Sequence, residues 1–338
     1  MNKKIVDIAR DLNLSPSTIS KIVNNKGRIS SETRERVLKY VKECGYLAMS
    51  NARILSSKKS WTIGVIYSDI SLIGFEHPFF SRIFQSFKEY VAYYGYDVVL
   101  IVSKLGSNVL TYLEWCQIKK VDGILIVMGN INNPNIIEVV NSDYPCISTD
   151  IAMPNLHSVI CDDYQGVKIA IDYAQKLGFS KIMMVTGPKS ARSFYVRTEF
   201  FEKEMTLRNL KYTKDDIITT DGFGFSSGFS VGQDIAKRTD LPELIIVNSD
   251  VIAYGVIRGL NSMGIDVPND ISVIGYDDIE FSENFTPALT TILQDTKMIG
   301  ERAAEELLRS IDLKLPKTQK ITYLPVTLIE RESTKRKI

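Results

Sequence analysis

Cysteine and histidine are scarce in this 338-residue chain, which contains four cysteines and two histidines. The cysteines, Cys44, Cys116, Cys146 and Cys161, are widely spaced and form no C-x-x-C pair. A disulfide framework or a structural zinc site would need closely spaced thiols, or thiols paired with histidines. We therefore expect reduced, mostly buried thiols and no bound metal.

Long hydrophobic runs are also absent, because no stretch reaches the roughly 18 consecutive apolar residues of a transmembrane helix. Near the start, Asp7, Arg10 and Asp11 stand where a signal peptide needs an uninterrupted apolar segment. These features predict a cytosolic protein without a membrane partner. The content of 44% hydrophobic and 24% charged residues excludes a mainly disordered chain.

Motifs of common enzyme classes are missing as well. The sequence has no G-x-x-x-x-G-K-[ST] loop and no G-x-S-x-G elbow, and DGFGFSSG at 221–228 has the wrong glycine spacing for a dinucleotide loop. The sequence therefore favours a binding protein without catalytic residues or a cofactor over a doubly wound enzyme.

The charge is unevenly distributed, although the net charge of the whole chain is only +1. Residues 1–60 contain 13 Lys and Arg against 5 Asp and Glu, a net charge of +8. The remainder contains 28 against 35, a net charge of −7. A basic N-terminal segment on an acidic body predicts that the segment binds a polyanion, although a solvated basic surface would have the same composition.

Apolar spacing in the basic segment predicts three short helices. The second begins near Pro16, with Ser15 as its N-cap, and the third is capped by Ser30 or Ser31. Such an arrangement is typical of a helix-turn-helix module, whose second helix reads the major groove of DNA, although a generic three-helix bundle fits the same spacing. The candidate DNA-contacting residues here are Ser15, Pro16, Ser17, Thr18, Ser20, Lys21, Asn24 and Arg28.

From Trp61 onward, apolar strands alternate with amphipathic helices. The predicted strands are 62–68, 96–102, 122–128, 146–150, 181–187, 243–249 and 271–277, and the predicted helices are 79–94, 108–119, 134–142, 164–177, 194–209, 226–238, 250–263 and 296–311. This alternation predicts an α/β core with two doubly wound parallel-sheet lobes. Ligands of such sheets bind outside the carboxyl ends of the strands.

Several motifs together resemble the LacI/GalR repressor family. The segment IVDIARDLNLSPSTISKIVNNKGRISSETRERVLKYVKECGY is similar to the family's head, and Ala52-Arg53-x-Leu55 matches its hinge. In the body, VPNDISVIGYDD at 267–278 and ALTTILQD at 288–295 match the family closely. Ala48 and Met49 depart from the family, which usually has Pro-Asn there, and Ser249 replaces a usual Asn.

This resemblance implies a helix-turn-helix head at 1–49, a hinge at 50–60, a core of the periplasmic-binding-protein type I at 61–330 and a tail at 331–338. Within the core it implies one lobe at about 61–161 and 291–323 and another at about 162–290 and 324–330. Arg53 and Leu55 are the implied hinge contacts with DNA, Leu55 as a minor-groove wedge. The implied effector contacts are Phe79, Asp150, Ser193, Arg197, Phe223, Ser249, Asp277 and Gln294.

We therefore expect a homodimeric repressor of a sugar catabolic operon, which binds a pseudo-palindromic operator. A small molecule is expected to switch it, and the side chains at the implied effector contacts suit a sugar. Two alternatives remain open, a global catabolite regulator with a phosphoprotein corepressor and a periplasmic-type sugar-binding protein. The basic segment counts against the second. Some proposed contacts also have a structural explanation, since Arg197 could pair with Glu202, and Asp150 and Asp277 could cap helices or turns.

Overall fold

The structure is a computed structural model that describes residues 3–23, 27–44, 59–67, 76–102, 104–105 and 107–336. The chain divides into two compact units, Met1–Trp61 and Thr62–Ile338. Within the described residues, no helix is long and apolar enough to cross a membrane.

The described residues of the first unit form three helices, α1 (Ile5–Asp11), α2 (Pro16–Val23) and α3 (Ser31–Glu43). Helix α2 begins at Pro16 as predicted, and the Ser15 hydroxyl accepts a hydrogen bond from the Thr18 N–H at 3.1 Å. Ser30, rather than Ser31, caps α3 by accepting from the Thr33 N–H. The core of the unit consists of Ile8, Ala9, Ile19, Ile22, Val37 and Val41.

The second unit begins with a lobe built on a parallel six-stranded sheet in the order β13-β7-β6-β5-β1-β2. Strand β5 is buried along its whole length, as expected for a sheet covered by helices on both faces. The first elements of this lobe are β1 (Thr62–Tyr67), α4 (Pro78–Tyr93), β2 (Asp97–Ile101), β3 (Lys104–Leu105), β4 (Asn108–Val109), α5 (Tyr112–Lys119), β5 (Gly123–Met128), α6 (Pro134–Asn141), β6 (Cys146–Ser148) and β7 (His157–Cys161).

The second lobe contains a six-stranded sheet in the order β14-β12-β11-β10-β8-β9, in which only the edge strand β14 is antiparallel. Its first elements are α7 (Asp163–Lys176), β8 (Ile182–Thr186), α8 (Arg192–Leu207), a 3₁₀ turn (Lys214–Asp216), β9 (Ile217–Thr219), α9 (Phe225–Ala236), β10 (Leu244–Val247), α10 (Asp250–Ser262), β11 (Ser272–Asp277), α11 (Phe281–Asn284) and β12 (Thr290–Gln294). The chain then adds α12 (Thr296–Leu313) and β13 (Lys320–Leu324) to the first lobe and returns with β14 (Val326–Ile329).

Two predicted lobe boundaries differ from the structure. The chain leaves the second lobe after Gln294, and not at 291, because the whole of β12 pairs with β11. The proposed tail at 331–338 is partly an element of the second lobe, since the buried Ser333 hydroxyl donates to the Val273 carbonyl and accepts from the Thr290 N–H. The strands predicted from the apolar alternation did not include β3, β4, β7, β9, β12, β13 or β14.

The predicted helix at 108–119 begins later than expected. Residues Asn108–Val109 form a short strand, and α5 begins only at Tyr112. The Thr111 hydroxyl accepts from the Glu114 N–H, while the Glu114 carboxylate accepts from the Thr111 N–H. This reciprocal capping box sets the start of the helix.

Helices α9 and α10 pack with their backbones in contact, and glycines make this approach possible. A Cβ atom on Gly228 would lie 2.2 Å from the Ile252 carbonyl oxygen, and one on Gly259 would lie 2.2 Å from the Phe229 carbonyl oxygen. These neighbours are backbone atoms of a packed helix, so they cannot rotate away as a side chain would.

We expect Gly228→Ala to destabilise the core by about 1–3 kcal/mol or more, because the added methyl group overpacks this backbone contact. The matched control is Gly224→Ala at the N-cap of the same helix, where a Cβ would meet no atom within 4 Å. Urea unfolding of both variants measures the difference. Equal stability of the two variants would contradict the proposed packing constraint.

Candidate functional site

A cavity of about 890 Å³, including space open to solvent, lies between the two lobes at the carboxyl ends of their strands. Tyr67, Met128 and Asp150 line it from the first lobe, at or just after strand ends. The second lobe contributes Asp277 and Gln294, the last residues of β11 and β12. All eight residues proposed as effector contacts line this one cavity, namely Phe79, Asp150, Ser193, Arg197, Phe223, Ser249, Asp277 and Gln294.

Arg197 on α8 is the most constrained charged residue of the cavity wall, with only 3% of its surface exposed. Its Nε donates to Asp163 Oδ1 at 2.8 Å, and its Nη1 donates to the Asn248 carbonyl at 2.9 Å. Its guanidinium also lies 3.5 Å from the centre of the Tyr276 ring. The suggested pairing of Arg197 with Glu202 is therefore wrong, because its partner is on α7.

Asp163 and Arg192 were not predicted from the sequence, yet both line the cavity. The second carboxylate oxygen of Asp163 accepts from Arg192 Nη1 at 2.9 Å. One buried carboxylate thus binds two guanidinium groups, which orients both on the cavity wall. Asp163 follows the N-cap Asp162, so its position resembled an ordinary acidic residue in the first turn of a helix.

Two other carboxyl groups of the cavity have raised pKa values. Burial raises the pKa of Asp150 to about 6, and its Oδ2 accepts from the Gly129 N–H at 3.1 Å. Burial likewise raises the pKa of Asp277 to about 7, and its Oδ1 accepts from Gln294 Nε2 at 2.8 Å. Asp277 has φ of 121°, a strained conformation of the kind that concentrates at functional sites.

Asp250 lies next to Asp277 but belongs to the interior of the second lobe. Its carboxylate accepts from the hydroxyls of Thr291 at 2.6 Å and Ser282 at 2.5 Å. Burial, and secondarily the charge of Asp277, raises the pKa of Asp250 to about 8. The backbone N–H of Asp250 donates to the Asp277 carboxylate, so Asp250 supports the position of Asp277.

Aromatic rings from both lobes add apolar surface to the cavity. In the first lobe, the rings of Phe79 and Phe80 lie 5.2 Å apart. In the second, Phe194 and Phe223 lie 5.7 Å apart, and Gly187 leaves the space that Phe194 occupies. A ring-shaped polar ligand could contact these apolar faces while its polar groups reach the charged residues.

His77 is a further cavity residue that was not among the predicted contacts. Its Nδ1 is buried and has no hydrogen-bond partner in the described part of the chain. Burial lowers its pKa to about 4, so the imidazole is neutral at physiological pH. The available signal for this position was its place in the sequence, two residues before the predicted contact Phe79.

The head presents most of its predicted DNA contacts at the surface. Ser15, Pro16, Ser17, Lys21 and Arg28 are exposed, whereas Thr18 and Ser20 are partly buried. The Ser15 hydroxyl lies 2.8 Å from both the Ser17 and Thr18 hydroxyls, so it serves the helix cap. The remaining predicted contacts, Asn24, Arg53 and Leu55, lie outside the described residues, as do Ala48 and Met49.

Comparisons with known proteins agree with both units. Residues 4–48 match the family described as "Bacterial regulatory proteins, lacI family", and residues 171–334 match a periplasmic binding protein-like domain. Catabolite control protein A of Priestia megaterium is 29% identical over 99% of this chain and 100% of its own length. The HTH-type transcriptional repressor PurR of Haemophilus influenzae (strain Rd) is also 29% identical, over 98% of both chains.

Among solved structures, the lac repressor dimer bound to operator and the anti-inducer ONPF superposes with a TM-score of 0.83. The two chains are 26% identical, and 99% of each is covered.

The fold defines a helix-turn-helix protein with a periplasmic-binding-protein-like core, which confirms the predicted fold class. The chain therefore combines a lacI-type DNA-binding domain with a periplasmic-binding-protein-like domain, and the proteins similar to it over nearly its whole length are transcriptional regulators of the same construction. These relatives also confirm a regulator rather than an enzyme.

The buried carboxyl groups predict an inverted pH dependence of stability. An unfolded aspartate has a pKa of about 3.9, so between about pH 4 and 7 the folded state holds a proton on Asp277 that the unfolded state has lost. The free energy of unfolding therefore falls as pH rises through this window, by up to about 1.4 kcal/mol per pH unit for one fully linked proton.

We expect Asp277→Asn to flatten this slope between pH 5 and 7, measured by urea unfolding of the ligand-free protein. Exposed Asp221→Asn controls for the loss of one carboxylate. Identical slopes for wild type and Asp277→Asn would show that Asp277 is already ionised in the folded protein at pH 5.

Proposed function

We propose that this protein is a homodimeric repressor that binds a pseudo-palindromic operator through its head and releases or tightens on it when a sugar binds in the interlobe cavity. The observation that carries the proposal is the convergence of all eight predicted effector residues on one cavity between the lobes. The proposed sugar catabolic operon follows from the same ligand chemistry.

Support for operator binding comes from the head. Its exposed α2 residues are small or basic, and short hydroxyl, amide and basic side chains can bond to base edges in the major groove. The net charge of +8 on residues 1–60 supplies contacts with phosphates. A homodimer would place two heads on two half-sites, and the similar lac repressor structure is described as a dimer bound to operator.

Support for a sugar effector comes from the chemistry of the cavity. Carboxylates, a guanidinium and an amide can bind pairs of hydroxyl groups, and phenylalanines on both lobes can contact the carbon face of a ring. Among similar proteins, one is named a ribose operon repressor, and another structure, 26% identical, contains bound ribose. A ligand that contacts both lobes would favour one lobe orientation and so shift the dimer between DNA-binding states.

Operator affinity should fall by orders of magnitude between about 50 and 200 mM salt, because binding releases counterions from the phosphates. Lys21→Ala should weaken binding to the operator. Lys237→Ala removes an exposed charge from the surface of the second unit and should leave operator binding unchanged. Fluorescence anisotropy on DNA fragments selected from a random library measures both effects. A flat plot of log affinity against log salt would refute the proposed role of the head.

Cavity variants should lose the response to sugar while retaining binding to the operator. A thermal-shift screen with D-ribose, D-glucose, D-galactose, lactose and cellobiose should identify a sugar that stabilises the wild-type protein. Asp277→Asn and Arg197→Ala should weaken this response by about 2–5 kcal/mol in binding energy, as for other desolvated charged contacts. Exposed Arg309→Ala is the control.

Operator titration with and without the selected sugar completes the test, and linkage requires that DNA change sugar affinity by the same factor. A full sugar response in both cavity variants would place the effector site elsewhere. Loss of operator binding without ligand would instead show that Arg197 and Asp277 maintain the fold. If no sugar stabilises the protein, the effector belongs to another chemical class.

A further inference from the structure

A second cavity, of about 720 Å³ including open solvent, lies beside the interlobe cavity, where the chain first crosses between the lobes. We call it the crossover groove. Asp162 at the crossing, Tyr164 on α7, and Phe200 and Lys203 on α8 line it from the second lobe. Tyr323 on β13, the edge strand of the first sheet, lines it from the first lobe. Both lobes therefore contribute to this groove.

The aromatic wall of the crossover groove is held in a fixed geometry. The rings of Tyr164 and Phe200 lie 5.1 Å apart with their planes at 66°, and the Tyr164 hydroxyl donates to Glu204 Oε1 at 3.0 Å. Tyr323 remains 55% exposed, so burial in the core does not account for its aromatic ring. The fixed rings of Tyr164 and Phe200 offer apolar surface to a ligand without a large loss of side-chain entropy.

The charges of the crossover groove balance. Arg192 and Lys203 oppose Asp162 and Asp163, so the groove offers donors and acceptors without a net formal charge. This balance disfavours a phosphate or a cation as the main ligand group. A neutral ligand with apolar faces and many hydroxyls suits such a surface, which is the chemistry of a sugar ring. The crossed planes of Tyr164 and Phe200 form no parallel slot for a flat nucleobase.

The groove and the interlobe cavity share part of one wall. Asp163 and Arg192 line both spaces and form an ion pair of 2.9 Å with each other. Asp163 also holds Arg197, which faces the interlobe cavity. A ligand that forms a hydrogen bond with Arg192 from the groove would therefore change the hydrogen bonding of the cavity residues.

We propose that the crossover groove is a second carbohydrate-binding site, which takes a neutral sugar ring and is coupled to the interlobe cavity through the Asp163–Arg192 pair. The inference of a binding site depends only on the residues of the groove, while the inference of coupling rests on the proposed function of the cavity. Because the groove contains residues from both lobes, a bound sugar there would also favour one lobe orientation.

Isothermal titration of the full-length protein with D-glucose, D-galactose, D-ribose, maltose, cellobiose and lactose tests the site. We expect a stoichiometry of two for at least one of these sugars in the wild type, and of one in Tyr323→Ala and in Asp277→Asn. Tyr323→Ala should weaken groove binding by about tenfold or more, as truncation of an aromatic contact does. The control is Tyr195→Ala, which removes an exposed tyrosine of α8 outside the groove.

A stoichiometry of one that Tyr323→Ala leaves unchanged would overturn the groove site and leave the proposed effector cavity standing. Binding that depends on Tyr323 but not on Asp277 would support the groove and refute the effector cavity. Titration with adenosine provides the remaining test. If adenosine binds in a manner that depends on Tyr323, and no sugar binds in the groove, the carbohydrate assignment is overturned.

The coupling has its own test. Saturation of one site should change the affinity of the other several-fold in the wild type, in the range usual for linked sites. In Arg192→Gln the affinity of each site should fall, because Arg192 lines both, and saturation of one site should no longer change the affinity of the other. Unchanged coupling in Arg192→Gln would refute the role of the ion pair.

Discussion

The buried ion pair between Arg197 and Asp163 is the interaction on which the geometry of the interlobe cavity depends. It joins α8 to α7, and Arg197 extends the network to the carbonyl after β10 and to the Tyr276 ring on β11. Four separate elements of the second lobe therefore meet at one guanidinium. Removal of Asp163 would leave Arg197 buried without an ion-pair partner, which is a costly change in a protein interior. Removal of Arg197 would cost less, because Asp163 would remain paired with Arg192.

This network also affects the pKa values of the other two carboxyl groups of the cavity, Asp150 and Asp277. Since Asp163 takes both arginines, neither Asp150 nor Asp277 has an ion-pair partner among the described residues. Their carboxyl groups are held by a backbone N–H and a glutamine amide, and burial raises their pKa values towards neutrality. The cavity wall thus combines a fixed cation with carboxyl groups whose protonation changes near physiological pH.

Local signals in the sequence predicted local structure well. Ser15-Pro16 located the start of α2, and apolar spacing predicted the three helices of the head. The resemblance to a family identified eight residues that line one cavity, although their contact with a ligand remains a prediction. The sequence did not reveal partners that depend on tertiary contact, such as Asp163 for Arg197, because they are 34 residues apart on different helices.

The errors in the predicted lobes have a similar cause. Strand β12 begins with Thr290 and Thr291, whose hydroxyl groups depart from the apolar runs by which buried strands were predicted, yet both are fully buried. Their polar groups bond to Ser333 and Asp250, so tertiary partners make burial of a polar strand possible. Residues 331–335 looked like a tail for the same reason, because the sequence alone does not show that Ser333 bonds to β11 and β12.

Each sheet takes its outermost strand from the same late stretch, β13 for the first lobe and β14 for the second. During synthesis, neither lobe can complete its sheet until this stretch has left the ribosome, although the helices of the head emerge first. Domains usually fold as units as they emerge. Both lobes can therefore complete their sheets only at the same late stage of synthesis. Until then, a nascent chain has a head that can fold and a core that is still incomplete.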